Sequence, residues 1–146
     1  MSNNRLTTEE LQRHASNIRE GIIRGTYHAK SGHPGGSLSI ADILAVLYFE
    51  EMNIDPENPK MEDRDRFVLS KGHCAPALYA TLAERGYFDM KELDNLRHLG
   101  HFLQGHPDMK KIPGVDMSSG SLGQGLSAAN GMALYAKNQN KDFRVY

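Results

Sequence analysis

Three short runs set a histidine among glycines, serines or prolines: Ser31-Gly32-His33-Pro34-Gly35-Gly36-Ser37, Lys71-Gly72-His73 and Gly105-His106-Pro107. An imidazole titrates near neutral pH, which suits proton transfer. In the first run Pro34 biases His33 toward an extended backbone, and the glycines permit an irregular path that no regular element would tolerate. His33 is then held on a loop, where function concentrates, although an incidental histidine on a surface turn accounts for the same residues. His98, His101 and His106 stand close enough to raise the question of zinc. Gly100 and Gly105 break any helix that would align them, and a structural zinc site wants four ligands, which this run does not supply. Cys74 beside His73 invites a thiol nucleophile. Adjacent residues seldom hold that geometry, and a cysteine entering an alanine-rich helix belongs to the core.

A fourth run carries different chemistry. Met117-Ser118-Ser119-Gly120-Ser121-Leu122-Gly123-Gln124-Gly125 leads into a helical pattern, with Leu122, Leu126, Ala129, Ala133 and Ala136 at steps of three and four. A glycine-and-serine turn opening a helix presents unpaired N–H groups at the positive end of the helix dipole, which suits a phosphate or diphosphate. Glycine at 120, 123 and 125 removes Cβ atoms that would keep a ligand from the backbone. Tight packing of a small-residue helix explains the same pattern, and the run alone does not choose between the two.

These runs need elements to position them. Thr7 with Glu10 reads as a capping box, opening a helix to Ala29 whose stripe is Leu11, Ala15, Ile18 and Ile22. That helix should stop at Ser31-Gly32. A second helix is expected from Ser39 to Met52, capped by Ser39 with Asp42 in its first turn and apolar nearly all round, hence buried or in an interface. Asn53 to Glu62, with Pro56 and Pro59, reads as a loop. Phe67-Val68-Leu69-Ser70 reads as a short buried parallel strand, which puts Lys71-Gly72-His73 at its carboxyl end, where open α/β sheets place ligands. A helix over Ala75 to Arg85 follows. Asp89 with Glu92 begins another, carrying Leu93, Leu96 and Leu99. Residues 108–117 read as a polar loop and Phe143 to Tyr146 as the start of a strand. The order helix–helix–strand–helix–helix–loop–helix–strand is that of an α/β layer, a parallel sheet flanked by helices, without its later strands and with an open edge at its last one.

Composition bounds the function. With 146 residues, 39% of them hydrophobic, residues 1–146 form one domain with a real core. A formal charge of −1 and the lack of any basic run point away from nucleic acid and membrane surfaces, and the apolar run Ile43 to Phe49 is too short to span a bilayer. Met1 to Arg5 lacks the apolar core of a secretion signal. Cys74, the single cysteine, excludes an internal disulfide and fits a reducing compartment. The expectation is a cytoplasmic protein.

Taken together, the motifs resemble one family. Ser31-Gly32-His33-Pro34-Gly35-Gly36, the run Asp63 to His73, Gly105-His106-Pro107 and Gly120-Ser121-Leu122-Gly123-Gln124-Gly125 are similar, in order and spacing, to the N-terminal, diphosphate-binding part of transketolase. The resemblance covers the chain from about Leu11 onward. The run Gly100 to Pro107 resembles transketolases split into two chains more than the long single-chain enzymes.

The resemblance implies a thiamine-diphosphate-binding fold, incomplete at its C-terminal end, that uses thiamine diphosphate and Mg2+. By this likeness His73 should face the cofactor's diphosphate, and Gly120, Ser121 and Leu122 should line the cofactor through backbone groups. His33 and His106 should touch the sugar phosphate substrate and act in catalysis. The implied reaction carries a two-carbon ketol unit from a ketose phosphate to an aldose. In the family the magnesium ligands follow shortly after the position of Tyr146, so none is expected in this chain. A pyrimidine-binding C-terminal domain or subunit is implied as partner, in a homodimer or heterotetramer, and these residues alone are expected to be inactive. A dihydroxyacetone synthase or a sulfosugar transketolase would share the four motifs. A non-catalytic homologue that acts in assembly is the reading from outside enzymology.

Overall fold

The structure, a computed structural model, describes residues 5–146; the expected lack of a secretion signal falls mostly on residues 1–4, outside them. Helix α1 runs Thr8–Ala29 behind the predicted capping box: the Glu10 N–H donates to Thr7 Oγ1 at 3.2 Å and the Thr7 N–H donates to Glu10 Oε2 at 2.7 Å. Its stripe of Ala15, Ile18 and Ile22 is buried, and the helix closes on Lys30 in the left-handed region.

The next segment departs from expectation. Pro34–Leu38 is helical and forms α2, with His33 as the residue before its first turn. Proline presets the helical φ and lacks only an N–H that would be unpaired there, so Pro34 starts a helix where a broken loop was expected. Consequently Ser39 does not cap the next helix; its hydroxyl donates back to the Gly36 carbonyl at 2.9 Å. Helix α3 is Ala41–Val46, without a side-chain cap, and continues into a widened π turn over Leu47–Glu51. Its burial is one-sided: Leu44, Ala45 and Tyr48 are buried, while Ile43 and Val46 are exposed.

Helix α4, Ala75–Arg85, occupies the predicted span and is entered through a single 3-10 turn, Gly72–Cys74. Every residue from Ala75 to Ala83 is buried. The helix packs against α1, α2, α3 and the turn Met90–Asn95, and Gly86, at φ 100°, ends it. Cys74 lies in the core as expected, its Sγ so close to Gly36 that a methyl there would sit 2.6 Å away. Burial pushes its thiol pKa up.

Met90–Asn95 is a 3-10 turn, shorter than the helix expected there. Asp89 caps it by accepting from the Lys91 N–H at 2.8 Å, whereas the Glu92 carboxylate turns to His101 Nε2, also 2.8 Å away. Leu93 and Leu96 are buried, but Leu99 is fully exposed, because the chain turns extended at Leu96 and left-handed at Arg97. Helix α5 follows the long connection at Gln124–Asn138. Of its predicted stripe only Ala136 is buried; Leu122 and Leu126 are exposed.

Of the expected parallel sheet, the described residues form one isolated bridge, Arg66 with Val145. Three backbone hydrogen bonds of 2.9 Å build it: the Arg66 N–H to the Arg144 carbonyl, the Tyr146 N–H to the Arg66 carbonyl, and the Val68 N–H to the Tyr146 carbonyl. Carboxylates satisfy backbone where a ladder would. The Phe67 N–H donates to Asp116 Oδ2 at 2.8 Å, and Asp65 accepts from the N–H groups of Arg144 and Asn53 at 2.6 and 2.9 Å. The loop 108–117 is therefore not merely polar, for Ile112 and Val115 join the core and Asp116 is buried against the Arg64 guanidinium. The apolar pair anchors the loop while Asp116 supplies a strand partner.

Two outcomes test this packing. Asp116→Ala strands the buried Arg64 and the Phe67 N–H, and should cost about 3–5 kcal/mol in urea unfolding; a loss below about 1 kcal/mol means the pair is not the junction described. Cys74 should resist a disulfide reagent such as dithiobisnitrobenzoate at pH 8 in the native protein and react fully once unfolded, since its thiol is buried and held protonated. Rapid native labelling contradicts that placement.

Candidate functional site

The four runs singled out from the sequence converge on the N-terminal end of α4. His33, ahead of α2, and His73, in the 3-10 turn before α4, meet edge to face with ring centroids 4.9 Å apart. Lys71 ties the segment before α4 to α2, its ammonium donating to the Gly36 carbonyl at 2.7 Å and to Ser39 Oγ at 3.1 Å.

The glycine-and-serine run arrives from the other side. Gly72 lies directly on Ser119: a Cβ on Gly72 would stand 2.5 Å from the Ser119 carbonyl oxygen. Gly125, in the first turn of α5, lies as tightly on Ser70, where a Cβ would stand 2.6 Å from Cα. At both positions any side chain would push backbone from backbone, so these two glycines permit α5 to begin beside His73. His106 closes the cluster, with Gly120 packed near its ring at 3.6 Å from an added Cβ to Cδ2. His106 is exposed, and its backbone is held by the Tyr79 hydroxyl, which lies 2.9 Å from the His106 carbonyl and 2.8 Å from that of Gln104.

All predicted site residues thus fall in one neighbourhood, although Ser121 and Leu122 reach it only as exposed residues of the turn before α5. Cys74 points away into the core. His101 pairs with Glu92 and His98 is exposed, and among the described residues no group of three or more His, Cys, Asp or Glu is placed to hold a metal ion. A cavity of about 560 Å³ between Pro59–Met61 and Met109–Asp116 includes none of the predicted residues.

The chemistry of the cluster fits a phosphorylated cofactor. Past Gln124, whose N–H donates to the Ser121 carbonyl at 3.3 Å, the next N–H groups of α5 have no intrahelical partner and open beside the Ser70–Gly72 segment that leads to His73, with glycine at 120 and 123 keeping the approach clear. Ser119 Oγ is buried there without a hydrogen-bond partner among the described residues, an orphan that an added acceptor would satisfy.

Sequence reasoning named the histidines and the turn but missed what braces them. Lys71 stood inside a quoted motif without a role. Tyr79 and Arg97 gave no signal, because the partners of their side-chain hydrogen bonds lie 25 or more positions away: Arg97, with φ 62°, donates to Ser31 Oγ at 2.6 Å.

Comparison with known proteins accords with this arrangement. Residues 11–145 match the family described as transketolase, thiamine diphosphate binding domain. The chain is 50% identical over 137 residues to the 6-deoxy-6-sulfo-D-fructose transketolase subunit SqwG of Clostridium sp. (strain MSTE9), covering 94% of this chain and 50% of that one. It is 41% identical over 141 residues to an apulose-4-phosphate transketolase subunit of Phocaeicola vulgatus, covering 97% and 50%. Among solved structures, transketolase from Campylobacter jejuni superimposes with a TM-score of 0.89 at 35% identity, over 97% of this chain and 23% of that one. The chain spans about half the length of the two curated relatives. With the family's motifs gathered at one end of α4 and the match running through 11–145, the chain belongs to the transketolase family, within its thiamine diphosphate binding domain.

Proposed function

We propose that this chain is the diphosphate-binding part of a split transketolase that moves a two-carbon ketol unit from a ketose phosphate to an aldose phosphate, with thiamine diphosphate and Mg2+ as cofactors. The convergence of His33, His73, His106 and the start of α5 on one site carries this reading. A pyrimidine-binding subunit completes the enzyme, as a heterotetramer; the relatives named as subunits support a partner chain. We place the magnesium ligands outside these residues and the protein in the cytoplasm.

When bound, thiamine diphosphate supplies the carbon nucleophile and electron sink for carbon–carbon cleavage. His73 and the first N–H groups of α5 meet the diphosphate, each such hydrogen bond to a charged group contributing about 1.5–3 kcal/mol. Gly120, Ser121 and Leu122 line the cofactor through backbone groups. His33 and His106 face the sugar, where an imidazole accepts a donor hydroxyl proton as cleavage proceeds and returns it to the acceptor's carbonyl oxygen. Positioned proton transfer of this kind contributes about 10²–10⁴-fold.

A donor panel tests the reading in the complete enzyme. Turnover of D-fructose 6-phosphate with an aldose phosphate acceptor is the expected outcome. Turnover of 6-deoxy-6-sulfo-D-fructose in its place makes the protein a sulfosugar transketolase, and no turnover of any ketose makes it an assembly partner. His73→Ala should weaken thiamine diphosphate binding about 10- to 150-fold by calorimetric titration; an unchanged titration removes His73 from the diphosphate. His33→Ala and His106→Ala should instead lower kcat or raise the donor KM, with cofactor affinity nearly intact. Loss of cofactor binding with normal turnover at saturating cofactor reverses that assignment.

A further inference from the structure

The Tyr79 side chain is fully buried in α4, yet it carries a hydroxyl, and a buried hydroxyl needs a partner. Its partners are the carbonyls of Gln104 and His106, at 2.8 and 2.9 Å. One O–H therefore serves two carbonyls that flank Gly105. Burial raises the pKa of this phenol far above its ordinary value, so the group stays a neutral donor throughout the working pH range. The same helix begins at the turn carrying His73. Helix α4 thus fixes His73 at its start and the His106 backbone about one and a half turns later.

Among the described residues nothing comparable holds His106 from its own side chain, which is exposed. Beyond Tyr79, its segment leans on Arg97, whose guanidinium would stand 3.0 Å from a Cβ on Gly105 and donates to Ser31 Oγ. We infer that Tyr79 is a positioning residue: its hydroxyl holds the 104–106 backbone so that the His106 imidazole stands where the sugar substrate is held, in register with His33 and His73. This rests on the substrate-facing reading of His106. Tyr79 touches neither sugar nor cofactor, and its effect must pass through His106.

The test uses the complete enzyme loaded with thiamine diphosphate and magnesium, with D-fructose 6-phosphate as donor. Tyr79→Phe removes only the buried oxygen. It should lower kcat/KM for the donor about 5- to 20-fold, with cofactor Kd within about twofold of the parent. Hydrogen exchange, read without substrate, should quicken over 104–107 and stay unchanged over 31–39. In a His106→Ala background Tyr79→Phe should have no further effect on donor kinetics. Gly105→Ala, which crowds the same loop from the Arg97 side, should reproduce the donor defect and serves as a second variant if Tyr79→Phe is insoluble. An undiminished effect of Tyr79→Phe in the His106→Ala background overturns the inference, as does an equal loss of cofactor affinity. If His106→Ala impairs the donor but Tyr79→Phe and Gly105→Ala do not, the positioning role fails alone. If His106→Ala leaves donor kinetics unchanged, the substrate-facing reading fails and the inference with it.

Discussion

Burial of α4 on every side is the constraint from which the rest of the structure takes its position. A helix with no solvent face cannot slide or roll without opening cavities, each costing on the order of kilocalories per mole. From Ala75 to Ala83 four of the nine residues are alanine, small enough for α1, α2 and α3 to approach closely. Polar contacts at its rim lock the rotation. Glu84 meets His14 Nδ1 at 3.0 Å and accepts from Asn17 at 2.8 Å, and Arg85 donates to the Tyr48 carbonyl at 3.0 Å. A rigid α4 makes a rigid origin for His73.

Loops without regular structure gain order from that origin by different means on each side. On one side the means is backbone contact, through Gly72 on Ser119 and Gly125 on Ser70. On the other it is hydrogen bonding, through Tyr79 to the His106 segment and Lys71 to the Gly36 carbonyl. Buried hydrogen bonds of this sort add only about 0.5–1.5 kcal/mol each to stability, but losing one partner leaves a desolvated polar group, which costs more. Specific geometry is the larger gain.

Away from the site, the bridge between Arg66 and Val145 depends on acidic side chains to complete its backbone pairing. Asp116 accepts from Phe67 while pairing with Arg64, and Asp65 accepts from Asn53 and Arg144. A carboxylate buried in this way is tolerable because its oxygens meet several donors and a guanidinium at once. Four of these residues, Arg64, Asp65, Arg66 and Phe67, lie in a motif whose other members lead to His73. The motif therefore serves structure at its start and the site at its end.

Local physical signals were legible in the sequence. The Thr7–Glu10 box, the span of α4, the core place of Cys74 and the glycine-and-serine opening of α5 each depend on residues within a few positions, and the structure has all four. The motif histidines could be named for the same reason. Local reasoning misplaced the start of the second helix, because Pro34 can open a helix as well as break one, and it extended the Met90 turn to Leu99, which the left-handed Arg97 forbids. What no local pattern contains is contact between distant positions. That His33 meets His73, that Asp116 lies under Arg64, and that Tyr79 reaches the carbonyl of His106 follow from packing around α4. Composition and spacing determined which residues could do chemistry; only the tertiary structure decided which of them share a site, because shape complementarity between separate segments is a property of the packed chain and of no single stretch within it.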